Sequence, residues 1–179
     1  MSEKQRVVLG ISGASGAAIG MRIAERLAGM PAVETHLVVS GAGERTLLHE
    51  VGPGAGERLR ALVAKVHDSA DIGATIASGS FRTRGMIVAP CSMRSLGAIA
   101  MSLSDTLLVR AADVHLKERR RLVLLVRESP LHLGHVRLMS QVTEMGAIVA
   151  PPVPAFYLKP AGIAEMIDHL AARAIDLLA

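Results

Sequence analysis

The sequence is poor in cysteine, aromatic residues and long apolar runs, and each shortage excludes a class of protein. Cys91 is the single cysteine, which excludes a disulfide framework and a multi-cysteine zinc site. No apolar run approaches the roughly 18 residues that a membrane span needs. The apolar stretch after the basic N-terminus breaks at once into Ser12–Gly16, which predicts a strand and a turn rather than a secretory signal. We therefore expect a cytoplasmic protein without a membrane span.

Aromatic residues are scarce as well, with two phenylalanines, one tyrosine and no tryptophan. The chain carries 20 lysine and arginine residues against 16 aspartate and glutamate residues, which makes its net charge +4. A basic balance can indicate nucleic-acid binding, but stacking on bases needs aromatic side chains that this sequence has in very small number. Because the basic residues cluster in Lys117–Arg121, a small anionic ligand explains them at least as well. We expect no nucleic acid among the partners.

Half of the residues are apolar and 20% are charged, which excludes a disordered chain. A chain of this length can bury roughly 70% of the surface that its unfolded form exposes. The sequence has no internal repeat and no linker long enough to separate two domains. It therefore predicts a single domain over residues 1–179, in which the glycine-rich stretch Gly52–Gly56 is a flexible surface loop rather than a boundary.

Apolar runs rich in valine and isoleucine alternate with helical patterns along the chain. Strands that are apolar throughout and separated by helices are typical of a parallel sheet covered by helices on both faces. The sequence therefore predicts the α/β fold class. The predicted strands are 6–11, 35–39, 86–89, 122–126 and 147–149, and the predicted helices are 17–28, one through Leu47 and Leu48, a short one after Ser92, 131–145 and 163–178.

Polar residues that follow the predicted strands are the first candidates for a binding site, because ligands bind beyond the carboxyl ends of parallel strands. Gly10–Gly16 places small residues between a strand and a helix, so that backbone N–H groups can approach a phosphate or a flavin. The segment has neither the glycine spacing of a dinucleotide-binding fold nor the lysine of a Walker loop. The alternative is a tight turn in which Ser15 caps the helix.

Two later strand ends carry further candidates. Ser92–Ser95 opens a helix, so it can offer N–H and hydroxyl groups to a polar ligand or simply cap that helix. Arg127 and Glu128 follow the fourth strand, where a charged pair either faces a ligand or forms a weak surface ion pair. Cys91 has no neighbouring base that would activate its thiol, so we interpret it as a small buried residue.

The other candidates each have a plain structural alternative. Arg110 and Lys117 belong to a basic surface that is solvated, faces another subunit or binds phosphate. Tyr157 lies on a proline-stiffened segment, where packing alone would explain it. His132 and His135 are three residues apart on a predicted helix, but two histidines do not complete a metal site. We predict that the protein binds no metal.

Taken together, seven segments resemble the UbiX-type flavin prenyltransferases, formerly described as aromatic acid decarboxylases. This resemblance implies a flavodoxin-like Rossmann fold, in agreement with the α/β prediction, and homo-oligomers, often dodecamers, with sites near subunit interfaces. The matching segments keep the family's order over nearly the whole chain: GISGASG (10–16), ETHLVVS (34–40), ASGSF-T-GM (77–86), PCSM (90–93), RAADV-LKERR-LVL (110–124), RESPLHLGH (127–135) and MGAIVAPPVPAFY (145–157).

The resemblance also implies a reaction. Dimethylallyl monophosphate alkylates reduced FMN, first through a bond from flavin N5 to the prenyl C1 with loss of phosphate. A second bond then forms from flavin C6 to the prenyl C3. The product, prenylated FMN, is the cofactor of UbiD-type decarboxylases, which are the implied recipients, and no metal takes part.

The family's functional residues carry over to matching positions of this sequence. Ser15, Glu50 and Glu128 are the implied catalytic residues, which support proton movement and phosphate departure. Cationic side chains and a phenol stabilise the charge on the leaving phosphate. The implied substrate-binding residues are Arg110, Lys117, Tyr157 and Arg173. The implied FMN-binding residues are Ala14, Ser15, Gly16, Ser40, Ser92, Met93, Arg94, Ser95 and Arg127.

Two other functions are compatible with parts of the sequence. An FMN-dependent cysteine decarboxylase shares the fold, but it has a Pro-x-Met-Asn stretch where this chain has Pro90–Met93, and neither His49 nor His67 matches its early catalytic histidine. A non-enzymatic FMN carrier or accessory subunit of a decarboxylase would keep the FMN-binding groups alone. The residues that such a carrier does not need are all present here: Lys117, Glu128, Tyr157 and Arg173.

Overall fold

The computed structural model describes residues 4–179, which form a six-stranded sheet with helices packed against it. No helix in this part of the chain has the length and apolar character needed to cross a membrane. The strands are β1 (Gln5–Ile11), β2 (Val33–Val39), β3 (Lys65–His67), β4 (Gly85–Cys91), β5 (Arg121–Val126) and β6 (Ile148–Val149). The helices are α1 (Ala17–Ala28), α2 (Gly41–Val51), α3 (Ala55–Ala61), α4 (Met93–Ala100), α5 (Leu107–Lys117), α6 (Leu133–Glu144) and α7 (Ile163–Asp176), with short 3-10 turns at Thr75–Ala77 and Phe156–Leu158.

The strand order is β3-β2-β1-β4-β5-β6, and every neighbouring pair is parallel. Without β3, a short edge strand, the remaining order is that of the flavodoxin-like folds. The order reverses between β1 and β4, which makes this the switch point of the sheet. All strands begin at one edge, which we call the amino edge, and end at the other, the carboxyl edge. The predicted flavodoxin-like parallel sheet is confirmed.

Strand β1 shows how helices cover both faces of the sheet. Val7, Leu9 and Ile11 point into a core with α1, whereas Val8 points into a second core on the other face. None of the four exceeds 1% exposure, so neither side of the strand meets solvent. Helices α1, α2, α3 and α7 contribute to the first core, and α4, α5 and α6 contribute to the second. The prediction of helices on both faces is confirmed.

The prediction of a flexible loop at Gly52–Gly56 is wrong. Gly52 and Gly54 have φ angles of +98° and +74°, a left-handed region that favours glycine. They turn the chain directly from α2 into α3, whose first residue, Ala55, is buried. The stretch is therefore a tight turn between two helices.

Helix α5 is a helix that the sequence-based prediction missed. Leu107, Leu108 and Val109 are consecutive buried residues, and Ala111 and Ala112 follow them on the next turn. Its polar residues Arg110, Asp113 and Lys117 recur at helical spacing and form one narrow face. The helical period is therefore present in the sequence of this element.

The apolar side of helix α6 is only partly buried. The helix begins at Leu133 rather than at Leu131, because His132 is its N-cap. Leu138, Met139 and Val142 pack on the second core, whereas Leu133 and Val136 are exposed. The predicted amphipathic character is confirmed, and part of its apolar side meets solvent.

Candidate active site at the carboxyl edge

Backbone hydrogen bonds join the loops at the carboxyl edge into one continuous rim. Ser40 N donates to the last carbonyl of β1 over 2.9 Å, and Ser12 N donates to Pro90 O over 3.1 Å. Arg127 N donates to Cys91 O over 3.0 Å. The structure thus brings together the segments that sequence reasoning assigned to FMN. We call them the carboxyl rim, which consists of Ser12–Gly16, Ser40, Ser92–Ser95 and Arg127–Glu128.

Glycines allow α2 to approach the rim closely. A Cβ atom at Gly43 would lie 2.6 Å from the carbonyl oxygen of Ile11, and one at Gly13 would lie 2.3 Å from the Cβ of Ala42. Neither approach is possible for a larger residue without a shift of the backbone. The glycine-rich start of α2 therefore holds its N-cap, Ser40, against the end of β1. The Ser40 hydroxyl accepts a hydrogen bond from Gly43 N over 3.0 Å.

The N-terminus of α1 is capped by a side chain from the far end of α2. Glu50 Oε2 accepts hydrogen bonds from Gly16 N over 2.9 Å and from Ala17 N over 2.8 Å. The N-cap residue is Gly16, with φ of +113° and no side-chain capping bond, so the interpretation of Ser15 as the N-cap is wrong. Ser15 is instead exposed on the rim beside the Glu50 carboxylate.

Glu50 takes the place that an anion would occupy at this helix N-terminus. A phosphate at the same two N–H groups would have to displace the carboxylate, so the α1 N-terminus is not a vacant phosphate cradle. The arrangement places two of the implied catalytic residues, Ser15 and Glu50, next to each other. Sequence spacing did not indicate this contact, because 33 or 34 residues separate the bonded groups.

The second helix N-terminus of the rim belongs to α4. Ser92 is its N-cap, and the Ser92 hydroxyl accepts a hydrogen bond from Ser95 N over 3.2 Å. Met93 is half-buried against the second core and Ser95 is buried. The Arg94 guanidinium is exposed and pairs with the Asp105 carboxylate at 2.6 Å, so it points along the surface. The capped-helix interpretation of this segment is confirmed.

Arg127 and Glu128 are both exposed where β5 ends. Glu128 Oε1 accepts a hydrogen bond from Ser129 N over 3.0 Å. Among residues 4–179 no ion pair joins Arg127 to Glu128, so the interpretation as a surface ion pair is wrong. Both side chains are therefore exposed at the end of β5 and do not pair with each other.

The four implied substrate-binding residues are not gathered in one place within the chain. Arg110 lies on the first turn of α5 and pairs with Asp113 at 3.0 Å. Tyr157 lies on a 3-10 turn after β6 and is 83% exposed. Lys117 ends α5, pairs with Glu118, and lies next to Gly79.

Lys117 and Arg173 lie toward the amino edge, away from the carboxyl rim. Arg120, three residues after Lys117, donates to the carbonyl of Phe81 over 2.8 Å, just before β4 begins. Arg173 occupies the last turn of α7, and Leu178 beyond it accepts a hydrogen bond from Arg84, the residue before β4. A single chain therefore does not bring these cations to Ser15, Glu50 and Glu128.

The remaining candidates have structural roles. Burial raises the pKa of the Cys91 thiol to about 12, so it is not a nucleophile, and its interpretation as a buried residue is confirmed. The rings of His132 and His135 lie against each other with centroids 3.6 Å apart, and His132 Nδ1 accepts a hydrogen bond from Gly134 N. The described residues contain no group of three or more histidine, cysteine or carboxylate side chains that would hold a metal ion.

A parallel sheet with a hydroxyl-rich and N–H-rich rim at its switch point is typical of the α/β proteins that bind nucleotides and flavins. In agreement, the Flavoprotein family profile matches residues 1–171. The chain is 52% identical over 171 residues to flavin prenyltransferase UbiX of Thauera aromatica, covering 96% of this chain and 87% of that protein. It is 50% identical over 175 residues to flavin prenyltransferase UbiX of Escherichia coli K12, covering 98% and 92% of the two chains. The chain belongs to the family of UbiX flavin prenyltransferases.

Solved structures agree with this assignment. The crystal structure of AnUbiX in complex with FMN and dimethylallyl pyrophosphate has a TM-score of 0.94 and 45% identity, covering 98% of this chain and 93% of that one. A dodecameric FMN-dependent UbiX-like decarboxylase from Escherichia coli O157:H7 has a TM-score of 0.93 and 44% identity, covering 96% and 92%. The cysteine decarboxylase TvaF has a TM-score of 0.72 but 14% identity, so its likeness extends to the fold alone.

Proposed function

We propose that this chain is a flavin prenyltransferase, which transfers a dimethylallyl group to N5 and C6 of reduced FMN and releases phosphate. The observation that carries the proposal is 52% identity, over 96% of this chain, to a protein named for that activity. The product is prenylated FMN, and a UbiD-type decarboxylase is its proposed recipient. The polar rim at the switch point supplies the place where the flavin binds.

The residues of the carboxyl rim suit FMN. The hydroxyl group of Ser40 and the N-terminus of α4, whose N-cap is Ser92, offer hydrogen-bond donors and a favourable field to a phosphate. Arg127 adds a positive charge at the end of β5. Ala14, Ser15 and Gly16 are small, so the flavin can approach the backbone of the β1–α1 loop. Bound reduced FMN supplies the two nucleophilic atoms, N5 and C6.

Two residues of the rim, Ser15 and Glu128, and the neighbouring Glu50 carry the proposed proton and phosphate chemistry. Glu128 is exposed and has no cationic partner among residues 4–179, so its carboxylate can accept the proton that C6 loses on alkylation. Ser15 and Glu50 lie together at the start of α1, where they assist the departure of phosphate. Dimethylallyl monophosphate is the proposed donor, and AnUbiX was crystallised with the related diphosphate.

We propose that the active site is completed between subunits of a homo-oligomer. Lys117 and Arg173 reach the donor phosphate if the amino edge of one copy meets the carboxyl rim of another. The exposed apolar residues near the rim, which include Leu133, Val136 and Phe156, would be buried in such contacts. The dodecameric relative from Escherichia coli O157:H7 supports a dodecamer as the assembly.

Two further proposals concern the chain as a unit. Residues 1–179 act as a single flavoprotein domain, which is supported by the sheet that joins Gln5–Ile11 to Ile148–Val149 and by the return of α7 onto α1. Arg22 Nε donates to Asp168 Oδ1 over 2.7 Å across that helix contact. The cytoplasmic location stays a prediction from the sequence.

The decisive experiment is turnover by the purified protein with reduced FMN and dimethylallyl monophosphate, followed by the mass of the flavin. We expect a flavin heavier by one dimethylallyl unit, and the absence of that product would contradict the proposal. A pure FMN carrier would bind the flavin and leave its mass unchanged, and a cysteine decarboxylase would also leave the flavin mass unchanged while it decarboxylated a cysteine.

Glu128→Gln tests the proposed base in the same assay. The variant keeps the shape of the side chain and loses its charge, so we expect FMN affinity close to the native value and slower product formation. General bases contribute about 10²–10⁴-fold, which sets the size of the expected loss. Unchanged turnover would remove Glu128 from the mechanism.

A further inference from the structure

We propose that Ser12 is a positioning residue for flavin binding, whose buried hydroxyl sets the width of the crevice between the β1 and β4 loops. This inference rests on the proposed binding of FMN at the carboxyl rim. Ser12 belongs to the β1–α1 segment but differs from the exposed Ser15, because it is 1% exposed. Its contacts extend across the switch point rather than toward the outside of the rim.

The regular pairing of β1 with β4 ends before the rim is reached. The last paired residues are Gly10 of β1 and Val88 of β4, and the pairing of β4 with β5 is likewise irregular between Val88 and Cys91. Beyond that point, ladder hydrogen bonds no longer fix the distance between strands β1 and β4. Beyond Gly10 and Val88, the hydrogen bonds of Ser12 connect the two loops instead of the strand ladder, at the position where the crevice opens.

Ser12 uses its backbone and its side chain for this purpose. Ser12 N donates to Pro90 O over 3.1 Å, and Ser12 Oγ donates to the same carbonyl over 2.9 Å. Ser12 Oγ in turn accepts a hydrogen bond from Ser92 N over 2.8 Å. Because Ser92 is the N-cap of α4 and its hydroxyl holds Ser95 N, the Ser12 hydroxyl orients the helix start that offers donors to FMN.

The same contacts show that Ser12 positions the site rather than binding the ligand. A serine hydroxyl has a single hydrogen to donate, and Pro90 O receives it. The side chain is buried, so it is withdrawn from a ligand in the crevice. Its effect on FMN must therefore pass through Ser92 and the first turn of α4.

Loss of the Ser12 hydroxyl should displace the loop that begins α4 and weaken the binding of FMN. In Ser12→Ala, the Ser92 N–H loses its acceptor and the carbonyl of Pro90 keeps the backbone bond alone. Small displacements of groups that must meet a ligand have large effects, so we expect the dissociation constant of FMN to rise about tenfold or more. The catalytic carboxylates at Glu50 and Glu128 are unchanged in this variant.

The experiment compares Ser12→Ala with Thr83→Ala by flavin fluorescence titration and thermal unfolding. Thr83 is the matched control, because its hydroxyl makes one hydrogen bond to the buried His115 at the amino edge, over 2.8 Å. We expect both variants to lower the melting temperature. Ser12→Ala alone should weaken FMN binding and alter the visible circular dichroism of the bound flavin. Ser12→Thr, which keeps the hydroxyl, should recover most of the affinity.

An FMN affinity in Ser12→Ala equal to the native value would overturn the inference, and so would an equal loss in Thr83→Ala. If Ser12→Ala is too unstable to purify, Ser12→Cys replaces the hydroxyl with a thiol of similar size that hydrogen-bonds more weakly. We expect an intermediate loss of FMN affinity in this variant. Native FMN affinity in Ser12→Cys would also overturn the inference. Failure of the native protein to bind FMN would instead contradict the proposed function, so the two failures are distinguishable.

Discussion

His115 is a buried histidine whose two ring nitrogens are both used. Nδ1 lies 2.7 Å from the carbonyl of Ala111, which can only accept, so Nδ1 carries the hydrogen. Nε2 then accepts from the Thr83 hydroxyl at 2.8 Å. Burial lowers the pKa of His115 from 6.5 to about 4, with the bond to Ala111 opposing and the charge of Arg120 adding to the shift.

This neutral histidine predicts a loss of stability on acidification. Because the folded pKa lies below the unfolded one, the stabilisation is fully present above pH 6.5 and is lost as pH falls toward 4. The loss attributable to His115 should be on the order of 3 kcal/mol at most. Urea unfolding of the native protein and of His115→Gln at pH 7.5 and about pH 4.5 measures it. An equal acid sensitivity of the two proteins would contradict the prediction.

Tyr157 and Arg173 are predicted to act on the donor rather than on FMN. Arg173→Ala removes a guanidinium that can make a two-pronged contact with phosphate, whereas Tyr157→Phe removes one hydroxyl. A charge-assisted hydrogen bond contributes about 1.5–3 kcal/mol, so the arginine variant should lose more affinity for dimethylallyl monophosphate. Titration of the donor at saturating FMN measures both losses, with Arg58→Ala on α3 as a control. Native donor affinity in both variants would exclude them from the phosphate site.

At the scale of elements, the start of α1 depends on a carboxylate from α2. Glu50 accepts the N–H groups of Gly16 and Ala17, which an α-helix leaves without partners of its own. Glu50→Ala should therefore lower the free energy of unfolding by about 0.5–2 kcal/mol, the usual range for loss of an N-terminal cap. Glu50→Gln keeps an acceptor oxygen and loses the charge, so it should cost less.

Urea unfolding of the native protein and the two Glu50 variants tests this assignment. If the three proteins have the same free energy of unfolding, the capping bonds of Glu50 contribute nothing to stability, which would contradict the prediction. If Glu50→Gln retains stability but loses turnover, the capping and catalytic roles of the carboxylate are separated by one experiment.

At the scale of the whole molecule, mixed oligomers test whether active sites are shared between subunits. Lys117→Ala disables the amino edge, and Glu128→Gln disables the carboxyl rim. If each site combines the rim of one subunit with the amino edge of another, co-assembly of the two variants should restore about one site in four. Activity is measured for each variant alone and for oligomers assembled from an equal mixture.

The mixing experiment has one contradicting outcome and one control mixture. A mixture no more active than its parents would show that Lys117 and Glu128 serve the same site from one chain, or that Lys117 serves none. Mixing Glu50→Gln with Glu128→Gln is the control. Glu50 binds the rim at Gly16 and Glu128 belongs to the rim, so both variants alter the same part of the site and no restoration is expected.

The sequence by itself determined the elements whose pattern is local. Runs such as Val7–Ile11 and Leu122–Val126 are apolar throughout, which requires burial on both sides and therefore a parallel sheet between layers of helices. The small residues of Gly10–Gly16 and the serines at Ser92 and Ser95 also indicated the rim, because loop and cap chemistry depends on neighbours along the chain.

The tertiary structure alone decided the contacts between distant residues. The cap of α1 by Glu50 and the link from Ser12 to Ser92 join groups 33 to 80 residues apart, and no local pattern encodes such pairs. Lys117 and Glu128 are eleven residues apart in the sequence but lie at opposite edges of the sheet. Their separation follows from the direction in which α5 runs across the sheet, which the sequence alone does not show.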